Sequence, residues 1–282
     1  MAETLRPIKT VGIIGLGEMG LPMTRHLIAG GFGVVGFDVK PAALKAAQKL
    51  GAKVAKSPKA TAAACDLVIV VVGFDSEVLE VVLEKGGLLE GARPGTIIGV
   101  SSTVSPGCMK ELAAAPGAEQ IGFVDAPLCR GAEAAQQAKL LVMGGGDKDA
   151  FEACRPAFRT FADAIFHLGP LGSGQVGKMV NNMLLWACIS IDYEGLKLGE
   201  ALGVNRGKLR DALLLSSGNN WALETQVINR PMPWAEKDMT IVLEEADAKR
   251  ISLPLAGTLR EVIKGIKIEL GQPMPAKAKK KR

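Results

Sequence analysis

Lys178 and Asn182 stand four residues apart, so on a helix they share one face. Around them lie Met179, Val180, Met183, Leu184, Leu185 and Trp186, almost all apolar. A helix that is apolar nearly all round is buried, and a buried ammonium is costly unless it has a use or a partner. One use is proton transfer. A carbon bearing a hydroxyl releases hydride only as the hydroxyl proton is removed, and in reverse the new alkoxide needs a proton. A lysine whose ordinary pKa of about 10.4 is lowered by burial and by a nearby positive charge can serve either direction. The asparagine amide can orient the reacting oxygen or the lysine. The competing reading is a lysine that runs its ammonium out to solvent along an apolar stem.

The second chemical feature is Gly15-Leu16-Gly17-Glu18-Met19-Gly20, directly after an apolar run and at the start of a helical one. The first glycine permits a tight turn, the second lets backbone approach a pyrophosphate, and the third lets helix pack on strand. The helix start then offers free N–H groups and a positive dipole end to phosphates. Asp38 follows about 20 residues on, with Val39 beside it, where a carboxylate accepts from adenosine ribose hydroxyls and repels a 2′-phosphate. NAD is therefore favoured over NADP. Lys40 weighs the other way, as a cation that can accommodate the phosphate.

These groups need a frame. Strand-like runs are Val11–Gly15, Gly33–Asp38, Leu67–Val72, Thr96–Val100, Gly122–Asp125, Leu140–Gly144 and Ile165–Leu168, with helical stretches such as Pro41–Leu50 and Ser76–Glu84 between them. Apolar strands alternating with helices predict an α/β domain, a doubly wound, mostly parallel sheet covered on both faces. After a Gly-rich joint near Gly169 comes one long helical stretch, Gln175 to Leu202, closed by Gly203, and no further β-like alternation. The predicted division is an α/β dinucleotide-binding domain over 9–168, an all-helical domain over 172–270 for substrate and subunit contacts, and a basic tail over 271–282.

The 282 residues suit one large or two ordinary domains. No apolar run approaches the 18–20 residues of a membrane helix, and the N-terminus has no apolar signal core. The net charge of +5 comes from the end. Removing the five basic groups of Lys277–Arg282 from the 34 basic residues leaves 29, against 29 acidic. That tail reads as a solvated end, with anion or nucleic-acid binding as the alternative. Cys65, Cys108, Cys129, Cys154 and Cys188 are odd in number and form no CxxC, which fits a reducing, cytoplasmic setting and no metal site. His26 and His167 are the two histidines, so a histidine base has few candidates; His26 reads as a packing or surface residue on the first helix.

From about Val11 to Leu255 the chain resembles the β-hydroxyacid dehydrogenases, a family that includes 3-hydroxyisobutyrate dehydrogenase, tartronate semialdehyde reductase and, more distantly, 6-phosphogluconate dehydrogenase. The likeness rests on the N-terminal Val11–Met23 run, Ser102-Thr103-Val104-Ser105-Pro106, Asp125-Ala126-Pro127, Gly174–Asn182 and Lys237-Asp238-Met239, in this order. It implies an N-terminal Rossmann domain, a helical C-terminal domain and a cleft between them. By the same resemblance Lys178 matches the catalytic lysine and Asn182 its substrate-contacting partner. Thr103 matches a cofactor and substrate contact, and Lys237 a lysine that closes over the nicotinamide. Homodimers or homotetramers through the helical domains are usual in the family.

The substrate loop departs from the family pattern Asp-Ala-Pro-Val-Ser-Gly-Gly. Here it reads Asp125-Ala126-Pro127-Leu128-Cys129-Arg130-Gly131, with Cys129 for the serine and Arg130 for the first glycine. Arg130 adds a donor fork suited to a carboxylate, sulfonate or phosphate, and resembles an arginine in sulfolactaldehyde reductase. Its alternatives are solvent or a pairing with Glu133. Cys129 reads as a small packing residue, since hydride transfer needs no covalent intermediate. Asn219 and Trp221, in the stretch Ser217–Trp221 between helices, are pocket candidates or parts of a plain loop. The C-terminus also departs: Gly271–Pro275 leads straight into the basic tail.

The expected activity is NAD(P)-dependent hydride transfer between nicotinamide and a small anionic hydroxy acid or its semialdehyde. The alternatives are an imine reductase of similar architecture, against which Lys178 argues, and a non-catalytic cofactor-binding scaffold whose tail docks nucleic acid.

Overall fold

The computed structural model describes residues 7–273, so of the tail expected over 271–282 all but 271–273 lies outside the described residues, and Gln272 is bonded to the Ile228 and Arg230 carbonyls. Strands β1 (Thr10–Ile14), β2 (Gly33–Phe37), β3 (Lys53–Val54), β4 (Leu67–Val70), β5 (Ile97–Val100), β6 (Gly122–Asp125), β7 (Leu128–Cys129), β8 (Leu140–Gly146) and β9 (Ala162–Gly169) form one sheet. Their order is β3-β2-β1-β4-β5-β6-β8-β7, with β9 also on β8. Pairing is parallel from β3 through β6 and between β8 and β9. It is antiparallel where β8 meets β6 and β7. Strands β3 and β7 are additions to the expected set, each two residues long.

The reason for a parallel core is plain in the residues. Val11, Ile13, Leu67, Val68, Ile69, Ile97 and Ile98 are fully or almost fully buried, so β1, β4 and β5 have no solvent face. One apolar cluster on one side joins Val11 and Ile13 to Met23 and Leu27 of the helix Gly20–Ala29, and to Phe151 and Phe158 of the helix Lys148–Phe158. A second, around Val68, Val70 and Val100, takes Val78, Met109 and Leu112 from the other side.

The described residues divide into two compact units at Lys178/Met179. This division falls inside the long helix Ser173–Ala201, whose first turn is bonded into the α/β unit through Gln175. Gly203 follows it with φ +86°, a left-handed stop. The second unit is helical, with Trp186, Met239, Leu259 and Ile263 among its core residues. The expectation that the long helix is buried all round needs correction. Leu184, Ile191 and Leu198 lie 57%, 62% and 62% exposed along it. Apolar composition tells that a surface wants covering; it does not tell that the same chain covers it.

Among the described residues, no helix is long and apolar enough to cross a membrane, and no group of three His, Cys, Asp or Glu could hold a metal ion.

Candidate active site

The sheet order reverses around β1, with β2 on one side and β4 on the other, which opens a crevice beyond the carboxyl ends of these strands. The loop from Gly15 to Gly20 occupies that position. Gly15 has φ +94°, and a Cβ there would sit 2.2 Å from the carbonyl oxygen of Val71. A Cβ on Gly20 would sit 1.9 Å from the Gly15 carbonyl oxygen. These two glycines are thus demanded by the fold itself. Gly17 is different: a Cβ there meets nothing within 4 Å. The chain leaves open space over an exposed glycine beside the N-terminus of the Gly20–Ala29 helix, and a pyrophosphate fits that cradle. Leu16 is buried, Glu18 exposed and Met19 partly buried.

Asp38 ends the strand beside this loop. Its Oδ2 accepts from the Leu16 amide at 2.8 Å and its Oδ1 from the Lys40 amide at 2.8 Å. The carboxylate therefore shapes the glycine loop while remaining partly exposed. Each oxygen keeps acceptor capacity for a ribose hydroxyl. Val39 and Lys40 beside it are exposed.

Beyond β5 the chain turns through Ser102, Thr103 and Val104. The Ser102 hydroxyl accepts from the Val72 amide at 2.8 Å and donates to the Val70 carbonyl at 3.3 Å. Thr103 is partly buried. Gln175, buried in the first turn of the long helix, accepts from the Val104 amide at 3.1 Å and donates to the Ser102 carbonyl at 2.9 Å. Asp125, at the end of β6, accepts from the amides of Gly172 at 2.7 Å and Gln175 at 2.8 Å. Burial pushes its carboxyl above the usual carboxylate range, against the pull of those amides. Neither Gln175 nor Asp125 is marked by spacing as a site residue, because their partners lie 71 to 73 and 47 to 50 residues away in sequence.

Lys178 is half-buried, three residues after Gln175, and its Nζ donates to Cys129 Sγ at 3.9 Å. Cys129 is buried at the end of β7, level with Leu141. The lysine and the substrate loop are thus brought together. Arg130 is not drawn to the same place. Its guanidinium donates to Asp163 at 2.5 Å and to the Lys139 carbonyl at 3.0 Å. This corrects the expected alternatives of solvent or Glu133. Asp163 lies at the start of β9, and β9 is brought to β7 only through β8, a proximity that local spacing cannot reveal. Arg130 also holds φ +80° and Gly131 φ +75°, the left-handed backbone that a Gly-Gly pair adopts without strain.

In the helical unit, Asn182 is buried and its Nδ2 donates to Asp238 Oδ2 at 2.9 Å, while Asn181 Nδ2 donates to Asn182 Oδ1 at 3.0 Å. Trp186 Nε1 donates to the same Asp238 oxygen at 3.2 Å. Asp238 is a third residue whose role spacing does not reveal. Lys237 lies with its ammonium 5.7 Å from the Trp234 ring centroid. Asn219 is exposed and donates to Glu224 at 2.7 Å, and Trp221 is exposed at the start of the helix Trp221–Thr225. That helix is capped by Asn220, which accepts from the Leu223 amide at 3.0 Å.

Comparison with known proteins agrees with this geometry. Residues 10–169 match the family described as the NAD binding domain of 6-phosphogluconate dehydrogenase. Residues 172–275 match the family described as NAD-binding of NADP-dependent 3-hydroxyisobutyrate dehydrogenase. The chain is 35% identical to an NAD-dependent L-serine dehydrogenase of Pseudomonas aeruginosa, over 86% of this chain and 78% of that protein. It is 29% identical to 2-(hydroxymethyl)glutarate dehydrogenase of Eubacterium barkeri, over 90% and 88%. Among solved structures, it is similar to the 3-hydroxyisobutyrate dehydrogenase of Mycobacterium tuberculosis with L-serine. That match has a TM-score of 0.83 and 29% identity, and covers 93% of this chain and 94% of the other.

Proposed function

Since the chain belongs to the β-hydroxyacid dehydrogenase family, and is as such an NAD(P)-dependent oxidoreductase acting on CH–OH groups, we propose that its substrate is a small anionic hydroxy acid or the matching semialdehyde, with Lys178 as general acid/base. The observation that carries this reading is the half-buried Lys178 ammonium facing Cys129 of the substrate loop at 3.9 Å.

Bound nicotinamide supplies or accepts the hydride. The residues of the chain do the rest. Amides of the Gly15–Gly20 loop and the following helix start hold the pyrophosphate, and Thr103 and Lys237 contact the cofactor. Asp38 takes the ribose hydroxyls and favours NAD over NADP. Lys178 removes the hydroxyl proton during oxidation and returns one during reduction. Asn182, held by Asp238, orients the reacting oxygen. Cys129, Arg130 and Gly131 border the substrate, and Arg130 meets its terminal anion by exchanging Asp163 for it. Asn219 and Trp221 border the substrate from the helical unit. We place the enzyme in the cytoplasm, in keeping with its unpaired cysteines, and as a homodimer or homotetramer, since Leu184, Ile191 and Leu198 present an uncovered apolar row.

Relatives named for L-serine, 3-hydroxyisobutyrate and 2-(hydroxymethyl)glutarate define the first substrates to offer. Tartronate semialdehyde, succinic semialdehyde, methylmalonate semialdehyde, glyoxylate and sulfolactaldehyde complete the panel. Absorbance of the reduced nicotinamide, followed with both NAD and NADP pairs, is expected to change with one of these. Arg130→Ala should then raise KM more than it lowers kcat. Silence across the panel despite tight NADH binding would overturn the substrate class.

A further inference from the structure

We infer that Gln175 is a positioning residue, an amide clamp that sets the Thr103 loop against the helix turn carrying Lys178; this rests on the dehydrogenase reading above. Three observations carry it. First, Gln175 is 1% exposed, so its amide has no recourse to water. Second, both ends of that amide are used, and on the two residues that flank Thr103. Its oxygen accepts from the Val104 amide at 3.1 Å and its nitrogen donates to the Ser102 carbonyl at 2.9 Å. Third, the backbone of Gln175 is itself anchored. Its amide donates to Asp125 at 2.8 Å, and a Cβ on Gly145 or Gly174 would come within 2.6 or 2.7 Å of that carboxylate. The carboxylate is thus closely seated between two glycines.

Lys178 follows Gln175 by three residues and lies on the same side of the helix. The clamp therefore fixes, through one side chain, the spacing between the Thr103 peptide and the turn that presents the lysine. A catalytic pair displaced by about 1 Å can lose about 100-fold in rate. A purely structural glutamine would lower the melting temperature and leave kcat alone.

Two variants separate these possibilities. Gln175→Leu matches the size but leaves the Val104 N–H and the Ser102 carbonyl unpaired. Gln175→Glu keeps the shape. When protonated it donates to Ser102 and accepts from Val104, as glutamine does. When ionised it sets an oxygen against the Ser102 carbonyl. The charged groups beside it are Asp125, which disfavours ionisation, and Lys178 one turn on, which favours it. In the full-length protein, Gln175→Leu is expected to lower kcat about 100-fold while NADH affinity changes far less. For Gln175→Glu, kcat relative to wild type at the same pH should rise at least about tenfold from pH 9 to pH 6.

A Gln175→Leu variant that keeps kcat within about threefold of wild type would overturn the clamp. So would a flat ratio for Gln175→Glu across that pH range. Wild type and both variants binding NADH but turning over no substrate would be a failure of the dehydrogenase reading, and the positioning role would fall with it.

Discussion

The ammonium of Lys178 lies 3.9 Å from the sulfur of Cys129, a residue held at the end of a two-residue strand. That strand pairs antiparallel with β8, opposite Leu141 and Val142. On the proposed function, this thiol borders the substrate without taking part in bond making. Cys129→Ser should keep kcat within about fivefold of wild type, because the two side chains differ little in size and hydride transfer involves no covalent intermediate. Loss of more than about 100-fold in steady-state turnover would assign the sulfur a chemical role.

The glycine loop separates two kinds of constraint. Gly20→Ala places a methyl 1.9 Å from the Gly15 carbonyl oxygen, so it should unfold several degrees below wild type. Gly17→Ala meets nothing in the chain, so its melting temperature should match wild type while NADH affinity falls at least about tenfold, or about 1.4 kcal/mol. Thermal melts beside NADH titration read both. Unchanged NADH affinity in Gly17→Ala would move the pyrophosphate elsewhere.

Arg130 holds a left-handed backbone, which costs a non-glycine residue roughly 1–2 kcal/mol. Its ion pair with Asp163 is more than a third exposed on both sides and returns about 0–1 kcal/mol. Arg130→Gly should therefore leave the melting temperature level or slightly raised, while KM for an anionic substrate increases. A large loss of thermal stability would make the ion pair, and not substrate, the reason for this arginine.

The Cys65 thiol is pushed from 9.0 up to about 12, first by burial and then by the neighbouring Asp66 carboxylate. A folded-state pKa above the unfolded one stabilises fully below the unfolded value and is lost as pH rises through the folded value. The contribution of Cys65 is thus present below pH 9 and fades toward pH 12. At pH 10.5 the loss is about 2 kcal/mol. Urea denaturation at pH 7 and 10.5 should show this extra alkaline loss in wild type relative to Cys65→Ala. Equal losses in the two proteins would refute it.

Much of this was legible in the residues. Runs such as Leu67–Val70 and Ile97–Val100 are short and apolar without alternation, as strands buried on both faces are. The Gly15–Gly20 loop and Asp38 are legible because cofactor geometry imposes their spacing. Strand β7 was not, since two residues carry no period and its formation depends on the edge offered by β8. Nor were Arg130–Asp163, Asp125–Gln175 and Asn182–Asp238, whose partners are 33, 50 and 56 residues apart and meet only once the chain is folded. The apolarity of the long helix reports a need for contact and not its source: Leu184, Ile191 and Leu198 are exposed in the single chain, and composition cannot say whether the same chain or a partner covers them.

The most direct test is kcat of Lys178→Ala, measured by nicotinamide absorbance with the substrate that wild type accepts, beside NADH affinity by fluorescence titration. With Lys178 as the general acid/base, turnover falls far below a tenth of wild type while NADH affinity stays within about threefold, since proton transfer by a positioned group contributes about 10²–10⁴-fold. Retention of more than a tenth of wild-type kcat would contradict that role.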